Sequence, residues 1–257
     1  MPVRTRATAA LSRRGPRALV LRAPGTNCDR ETALALELAG ARPEAVHIER
    51  LLSGGSRLDD FALLVLPGGF SYGDQLGAGT LWAHRLHGLA ESLARFVESG
   101  RPALGICNGF QALLELGLLH GGALAPNASG RFECRWVWLR RPERARTPLL
   151  DGIERMALPV AHGEGRFVAR DEATLANLGH RGEVALVYCN EDGGEADYPV
   201  NPNGSEGGVA ALSNAAGNVL GLMPHPERAV SPGQAPAGRR DGGGLAIFAN
   251  AVRMARG

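Results

Sequence analysis

Three short, wholly apolar runs constrain this chain more than any other feature. Ala18-Leu19-Val20-Leu21 ends at the turn Pro24-Gly25-Thr26-Asn27, and Ala62-Leu63-Leu64-Val65-Leu66 breaks at Pro67-Gly68-Gly69-Phe70. Pro102-Ala103-Leu104 leads into Gly105-Ile106-Cys107-Asn108-Gly109. Runs of this length with no polar face suit strands buried on both sides. Helical patterns lie between them, over 29–38, where Leu34 and Leu38 repeat ahead of Gly40, and over 81–98. An alternating stretch at 45–51 reads as one more strand. Strands that alternate with helices pair in parallel and carry helices on both faces, and such sheets bind ligands beyond the carboxyl ends of their strands. The turn at 67–70 and the glycine-flanked Cys107 are both strand-end loops, so they can share one crevice.

The residues around Cys107 run strand, glycine, nucleophile-type residue, glycine, helix. That is a nucleophile elbow with Cys in the serine position. A Cβ at either flanking position of so sharp a turn clashes with the neighbouring strand or helix, which is why glycine stands there. A helix that starts beside the sulfur offers free N–H groups and a dipole that favour a thiolate. Alone, the pattern fits a buried structural cysteine equally well. The rest of the chain has to decide.

Composition removes several classes. The 257 residues are 44% hydrophobic and 21% charged, as in ordinary soluble globular proteins. A net charge of +2, with no dense basic patch interleaved with aromatics, gives no sign of a nucleic-acid partner. No apolar run approaches the length of a membrane span. Cys28, Cys107, Cys134 and Cys189 are scattered without a C-x-x-C pair, so neither a metal site nor a disulfide framework is expected. Residues 1–17 hold five Arg and no acid but lack an amphipathic pattern. They read as a disordered extension of a cytoplasmic protein, with 18–257 as a single domain.

After about residue 119 the texture changes. Residues 132–139, 156–160 and 184–188 are strand candidates in a more antiparallel, loop-rich half, with turn signals at Gly193-Gly194, 201–205 and Gly207-Gly208. A last strand, 219–223, leads into Pro224-His225-Pro226-Glu227-Arg228, and a helix over 245–254 closes the chain. His225 and Glu227 are the base and the orienting carboxylate that a thiolate nucleophile needs. Two residues apart in an extended segment they lie on one face, and Pro226 restricts both its own φ and the conformation of His225. Glu227 then accepts one imidazole N–H and leaves the other ring nitrogen to the sulfur. The backbone N–H of Asn108 and one from the Gly68-Gly69 turn fit an oxyanion hole.

Six segments in order extend this pattern. They are Pro24-Gly25-Thr26-Asn27-Cys28-Asp29-Arg30, Pro67 through Asp74, Gly105 through Gln111, Ala161-His162-Gly163-Glu164-Gly165-Arg166, Tyr198 through Ser205, and Met223 through Arg228. In them the chain resembles the class I, or triad, glutamine amidotransferases, in particular the glutaminase components of phosphoribosylformylglycinamidine synthase. The resemblance implies a three-layer, flavodoxin-like α/β fold with a mostly parallel sheet. It implies that Cys107 attacks the amide of glutamine, His225 carries the protons and Glu227 orients it. Gln111 and the loop His162, Gly163, Glu164 and Gly165 match positions that hold the amino-acid group of glutamine. It also implies no cofactor in this chain. ATP and Mg are used by a separate large synthetase subunit, which a small bridging subunit joins in this family. Residues 75–82 depart from the stand-alone subunits and look more like the long single-polypeptide form, which bears on the partner surface. The competing reading is a Cys hydrolase of different substrate on the same scaffold, in which a carboxylate upstream of the elbow replaces Glu227.

Overall fold

The structure, a computed structural model, describes residues 15–70, 78–195, 197–236 and 243–257. The sheet begins with β1 (Arg17–Arg22), β2 (Arg42–His47), β3 (Leu63–Leu66) and β4 (Ala103–Ile106). In the second half follow β5 (Gly122–Pro126), β6 (Glu133–Arg140), β7 (Arg155–His162), β8 (Glu164–Ala169), β9 (Val184–Cys189), β10 (Val209–Ser213) and β11 (Val219–Leu222). Nine strands form one sheet in the order β2-β1-β3-β4-β11-β10-β9-β6-β7, and β5 pairs with β8 separately. From β2 to β11 all pairings are parallel, and from β11 to β7 all are antiparallel. Only β10 and β6 therefore run against the other seven, so the sheet is mostly parallel in strand direction.

Helices α1 (Asp29–Leu38), α2 (Ile48–Leu52), α3 (Ala78–Leu86) and α4 (Ala90–Glu98) connect the parallel strands, and α5 (Asn108–Glu115) follows β4. The step from β1 to β2 goes one way along the sheet and that from β3 to β4 the other. Right-handed crossovers then put α1 on one face and α3 and α4 on the opposite face. In the second half α6 (Glu172–Arg181) precedes β9, and the chain ends in α7 (Gly244–Met254), which packs on α1. Every residue of β3, β4 and β11 is buried. Trp82, Phe61, Phe96, Phe110, Phe167 and Phe248 are the bulkiest of the fully buried side chains.

Three local expectations change. The alternation at 45–51 is not one strand: β2 stops at His47, whose Nδ1 accepts the Glu49 N–H and caps α2. Ile48 and Leu51, three apart, are then buried on a helix face rather than on a strand face. The pattern over 81–98 is two helices joined by a 3₁₀ turn at His87–Leu89, where Gly88 lies so near Leu52 that a Cβ would come within 2.8 Å of it. Arg17, read as part of the extension, is the first residue of β1 and pairs with Glu44 at 2.9 Å. Residues 1–14 lie outside the described residues, as do 75–77 of the atypical 75–82 stretch. In the rest of that stretch α3 begins, and Trp82 is fully buried.

Candidate active site

Cys107 joins β4 to α5 with φ +53°, the one positive φ among the described residues other than glycine. A non-glycine backbone of this kind costs on the order of 1–3 kcal/mol and persists only where its surroundings hold it. Here its N–H donates to the Leu222 carbonyl at 2.8 Å, and its own carbonyl accepts from Phe110 and Gln111 at 2.9 and 3.2 Å. The flanking glycines act as the sequence implies. A Cβ on Gly105 would lie 2.6 Å from the Gly109 carbonyl oxygen, and one on Gly109 would lie 2.0 Å from that of Leu66.

His225 and Glu227 follow β11, next to β4 in the sheet, so the same sheet edge carries both halves of the elbow chemistry. They are not two residues of an extended segment. Glu227 lies in a 3₁₀ turn, Pro226–Arg228, and this turn folds its carboxylate back so that Oε1 is 2.6 Å from His225 Nδ1. A carboxylate accepts, so Nδ1 carries the proton and Nε2 is the nitrogen that remains for the sulfur. Both side chains are essentially inaccessible, at 2% and 0% exposure, and such a pair is isolated from solvent screening. Burial pulls the His225 pKa down. The Glu227 charge and the Cys107 and Cys28 sulfurs outweigh it and hold the pKa well above the ordinary histidine value. Gly68 makes this approach possible: a Cβ there would lie 2.8 Å from the His225 ring and 3.4 Å from both Cys107 Cβ and Cys28 Sγ.

A cavity of about 170 Å³ opens at these groups. Asn27, Cys28, Gly69 and Phe70 line it from the ends of β1 and β3, and Cys107, Asn108 and Gln111 from the elbow. Ala161, His162, Gly163 and Glu164 close the opposite wall from the junction of β7 and β8, with Phe132, His225 and Arg228 beside them. Asn108 Nδ2 donates to Gln111 Oε1 at 2.9 Å, and Gln111 Nε2 to Glu164 Oε2 at 3.5 Å, so a chain of polar groups crosses from one wall to the other. Phe70 and Phe132, both about half exposed, stack at 6.4 Å beside the opening.

Residues 15–255 match a family model described as the CobB/CobQ-like glutamine amidotransferase domain. The chain belongs to the glutamine amidotransferases. The phosphoribosylformylglycinamidine synthase subunit PurQ of Dehalococcoides mccartyi is 44% identical over 252 residues, 93% of this chain and 97% of that protein. Its counterpart in Treponema denticola is 44% identical over 240 residues, covering 84% and 88%. In the solved structure of PurLQS from Thermotoga maritima, one chain matches with a TM-score of 0.75 at 39% identity over 93% of this chain and 98% of its own. Another glutamine amidotransferase of Thermotoga maritima shares the fold at 15% identity, with a TM-score of 0.51 over 86% of this chain and 79% of its own.

Within this amidotransferase the expected site residues divide. Cys107, Asn108, Gln111, His162, Gly163, Glu164, His225 and Gly69 reach the cavity, and Gly68 lies directly behind its reactive corner. Gly165 does not line it. That residue backs His162, since a Cβ there would lie 2.7 Å from the ring Nδ1. The 201–205 segment is a brace for the same wall. Asn203 Nδ2 donates to the Gly165 carbonyl at 2.7 Å, and Ser205 Oγ accepts the Phe167 N–H of β8 at 2.9 Å. The Thr26–Gly69 bridge is closed by Phe70 N–H on Gly25 O and by Cys28 N–H on Gly68 O, so the N–H of Gly69 itself is not spent in it.

Three amidotransferase residues at the site had no role in the sequence. Cys28, in the turn after β1, places its sulfur at the cavity, where burial raises its pKa despite His225 and Arg228 nearby. Arg228 donates to that sulfur at 3.1 Å and to Glu31 Oε1 at 2.8 Å, tying the His225 turn to α1. Cys28, His225 and Glu227 each offer a ligand atom within 4.8 Å of the others. The Arg228 guanidinium on the sulfur opposes a cation at Cys28, and Glu227 is already engaged with His225 Nδ1. Asn127, the third, holds His162 from behind. The signal for Cys28 was its position: a turn at the carboxyl end of a strand that proves to neighbour β3.

Proposed function

We propose that this chain is the glutaminase subunit of a phosphoribosylformylglycinamidine synthase. The His225–Glu227 pair facing Cys107 carries the reading, in a cavity whose other wall is the His162–Glu164 segment. The Cys107 sulfur adds to the δ-carbonyl of glutamine, and its proton resides on His225. The N–H groups of Asn108 and Gly69 support the oxygen as it gains charge; the first residue of a helix has no acceptor inside that helix, so the Asn108 N–H is free for this. His225 returns the proton to the nitrogen, ammonia leaves, and a γ-glutamyl thioester stays on Cys107. Water then attacks the thioester, His225 takes its proton, and glutamate departs with the thiol restored. Gln111, Gly163 and Glu164 hold the amino-acid end of the substrate.

The ammonia serves a separate synthetase chain that uses ATP and Mg to convert formylglycinamide ribonucleotide to the amidine in the cytoplasm. The PurLQS neighbour supports an assembly with a synthetase chain and a small third chain. No described helix is long and apolar enough to cross a membrane. This chain itself then needs no cofactor. The test is the complex purified from the native host, assayed with glutamine and with ammonia. Cys107→Ala removes the glutamine-dependent rate alone; a variant that keeps it rules the reading out. An essential upstream carboxylate with Glu227 dispensable would favour the alternative hydrolase.

A further inference from the structure

The partners of Asn127 fix the orientation of its own amide and, through it, the tautomer of His162. Its Nδ2 is 2.8 Å from the carbonyl oxygens of both Arg131 and His162. Carbonyls only accept, so the amide orientation is set and Oδ1 is the atom turned to His162 Nδ1, at 3.1 Å. Oδ1 also only accepts, so Nδ1 of His162 carries the proton and Nε2 presents a bare lone pair. The Nδ1–Cε1 edge of the ring packs on Gly165, and His162 is one of the residues that line the cavity. That Nε2 is buried and has no partner among the described residues, although His162 is only 3% exposed. Burial and the charge of nearby His225 lower its pKa to about 4, so the lone pair stays bare at neutral pH.

A buried acceptor without a donor is costly, and the substrate is what can supply one. On the glutaminase reading, glutamine brings two kinds of N–H. Its α-ammonium is best met by the Glu164 carboxylate on the same wall, whereas a neutral, deeply buried acceptor close to His225 suits the neutral carboxamide. We propose that His162 Nε2 accepts a hydrogen bond from the scissile carboxamide N–H of glutamine, and that Asn127 is the positioning residue that fixes the tautomer required. The proposal rests on the glutaminase reading and adds selectivity for an amide over an ester of the same acid.

The experiment compares glutamine with γ-glutamyl methyl ester, which has the same acyl group and no N–H at the leaving group, in the complex from the native host. For His162→Leu, kcat/KM for glutamine falls at least tenfold further than for the ester, whereas a structural defect lowers both alike. Long-range ¹H–¹⁵N spectra of the wild-type chain show His162 protonated at Nδ1 and bare at Nε2, and Asn127→Ala moves the proton towards Nε2. The spectrum of the wild type decides even if that variant does not fold. Equal losses for amide and ester, or a proton on Nε2 in the wild type, overturn the proposal. A wild-type complex that cleaves neither compound removes the glutaminase reading, and this proposal with it, even with the tautomer as stated.

Discussion

On the parallel side of the sheet, the reactive groups are placed by backbone. Cys107 is held by carbonyl and N–H groups of β11 and α5, and Gly105, Gly109 and Gly68 allow main chains and the His225 ring to touch where no side chain fits. On the antiparallel side the cavity wall is placed by side chains: Asn127 holds His162, and Asn203 and Ser205 hold Gly165 and β8. Backbone placement tolerates almost no change of residue, whereas side-chain placement can be altered one polar contact at a time. On the proposed mechanism, the difference teaches that nucleophile geometry and substrate fit are separable in this fold.

Substitutions can break that contrast, and the largest effect belongs to the parallel side. Cys107→Ala is expected to cut glutamine-dependent synthesis by ~10⁴-fold or more while ammonia-dependent synthesis persists, measured side by side in the complex. Glu227→Gln keeps the volume but loses the charge that holds a proton on His225. We expect a 10²–10⁴-fold loss in kcat for glutamine, roughly, with a narrower pH range. Gly109→Ala forces a Cβ against the Leu66 carbonyl and is expected to destabilise the chain by more than about 3 kcal/mol in urea unfolding.

The antiparallel side is expected to give smaller numbers. His162 has a folded pKa of about 4 against 6.5 unfolded, so the unfolded chain binds the extra proton between those values. Its contribution to stability is complete above about 6.5 and is lost as pH falls to about 4, a loss of roughly 3 kcal/mol. His225, whose pKa is raised, acts in the opposite sense: its contribution is full below the unfolded value and is lost as pH rises through the folded one. Denaturation of His162→Gln at pH 7 and pH 4.5 should therefore show less acid destabilisation than the wild type. Gly163→Ala, whose added Cβ meets nothing nearer than 3.8 Å, is expected to change stability by less than about 1 kcal/mol. A large loss there would erase the contrast with Gly109.

The two sides also differed in how far the sequence revealed them. β1, β3 and β4 are buried on both faces, so their composition alone marks them, and the helix at 29–38 has the same bounds in both readings. The elbow could be read because its glycines answer to local sterics. Strands β5 and β8 gave no such signal, and β10, although all five of its residues are buried, follows directly on the turn signals at 201–208 and was not read as a strand. β8, Glu164–Ala169, mixes a charge, a glycine and apolar residues, and its pairing with β5 is long-range. Helix α6 buries only Leu178 and rests on its Asp171 cap and on Gly182 in a left-handed turn, so it has no apolar stripe to read. Cys28 and Asn127 were invisible as site residues for a related reason. Each acts on a side chain far away in sequence, and only the strand order brings the pairs together.

The second sulfur in the cavity has a consequence for covalent chemistry. Cys28 is a buried thiol whose pKa is raised, hydrogen-bonded to Arg228 and packed behind Gly68. A glutamine-shaped electrophile that enters the cavity thus meets two sulfurs but only one at the elbow. Mass spectrometry of the labelled chain should find a single adduct, on the peptide that carries Cys107. For inhibitor design the site counts as one nucleophile with a thiol wall, and shape complementary to that wall is a means of selecting this enzyme over others that lack it.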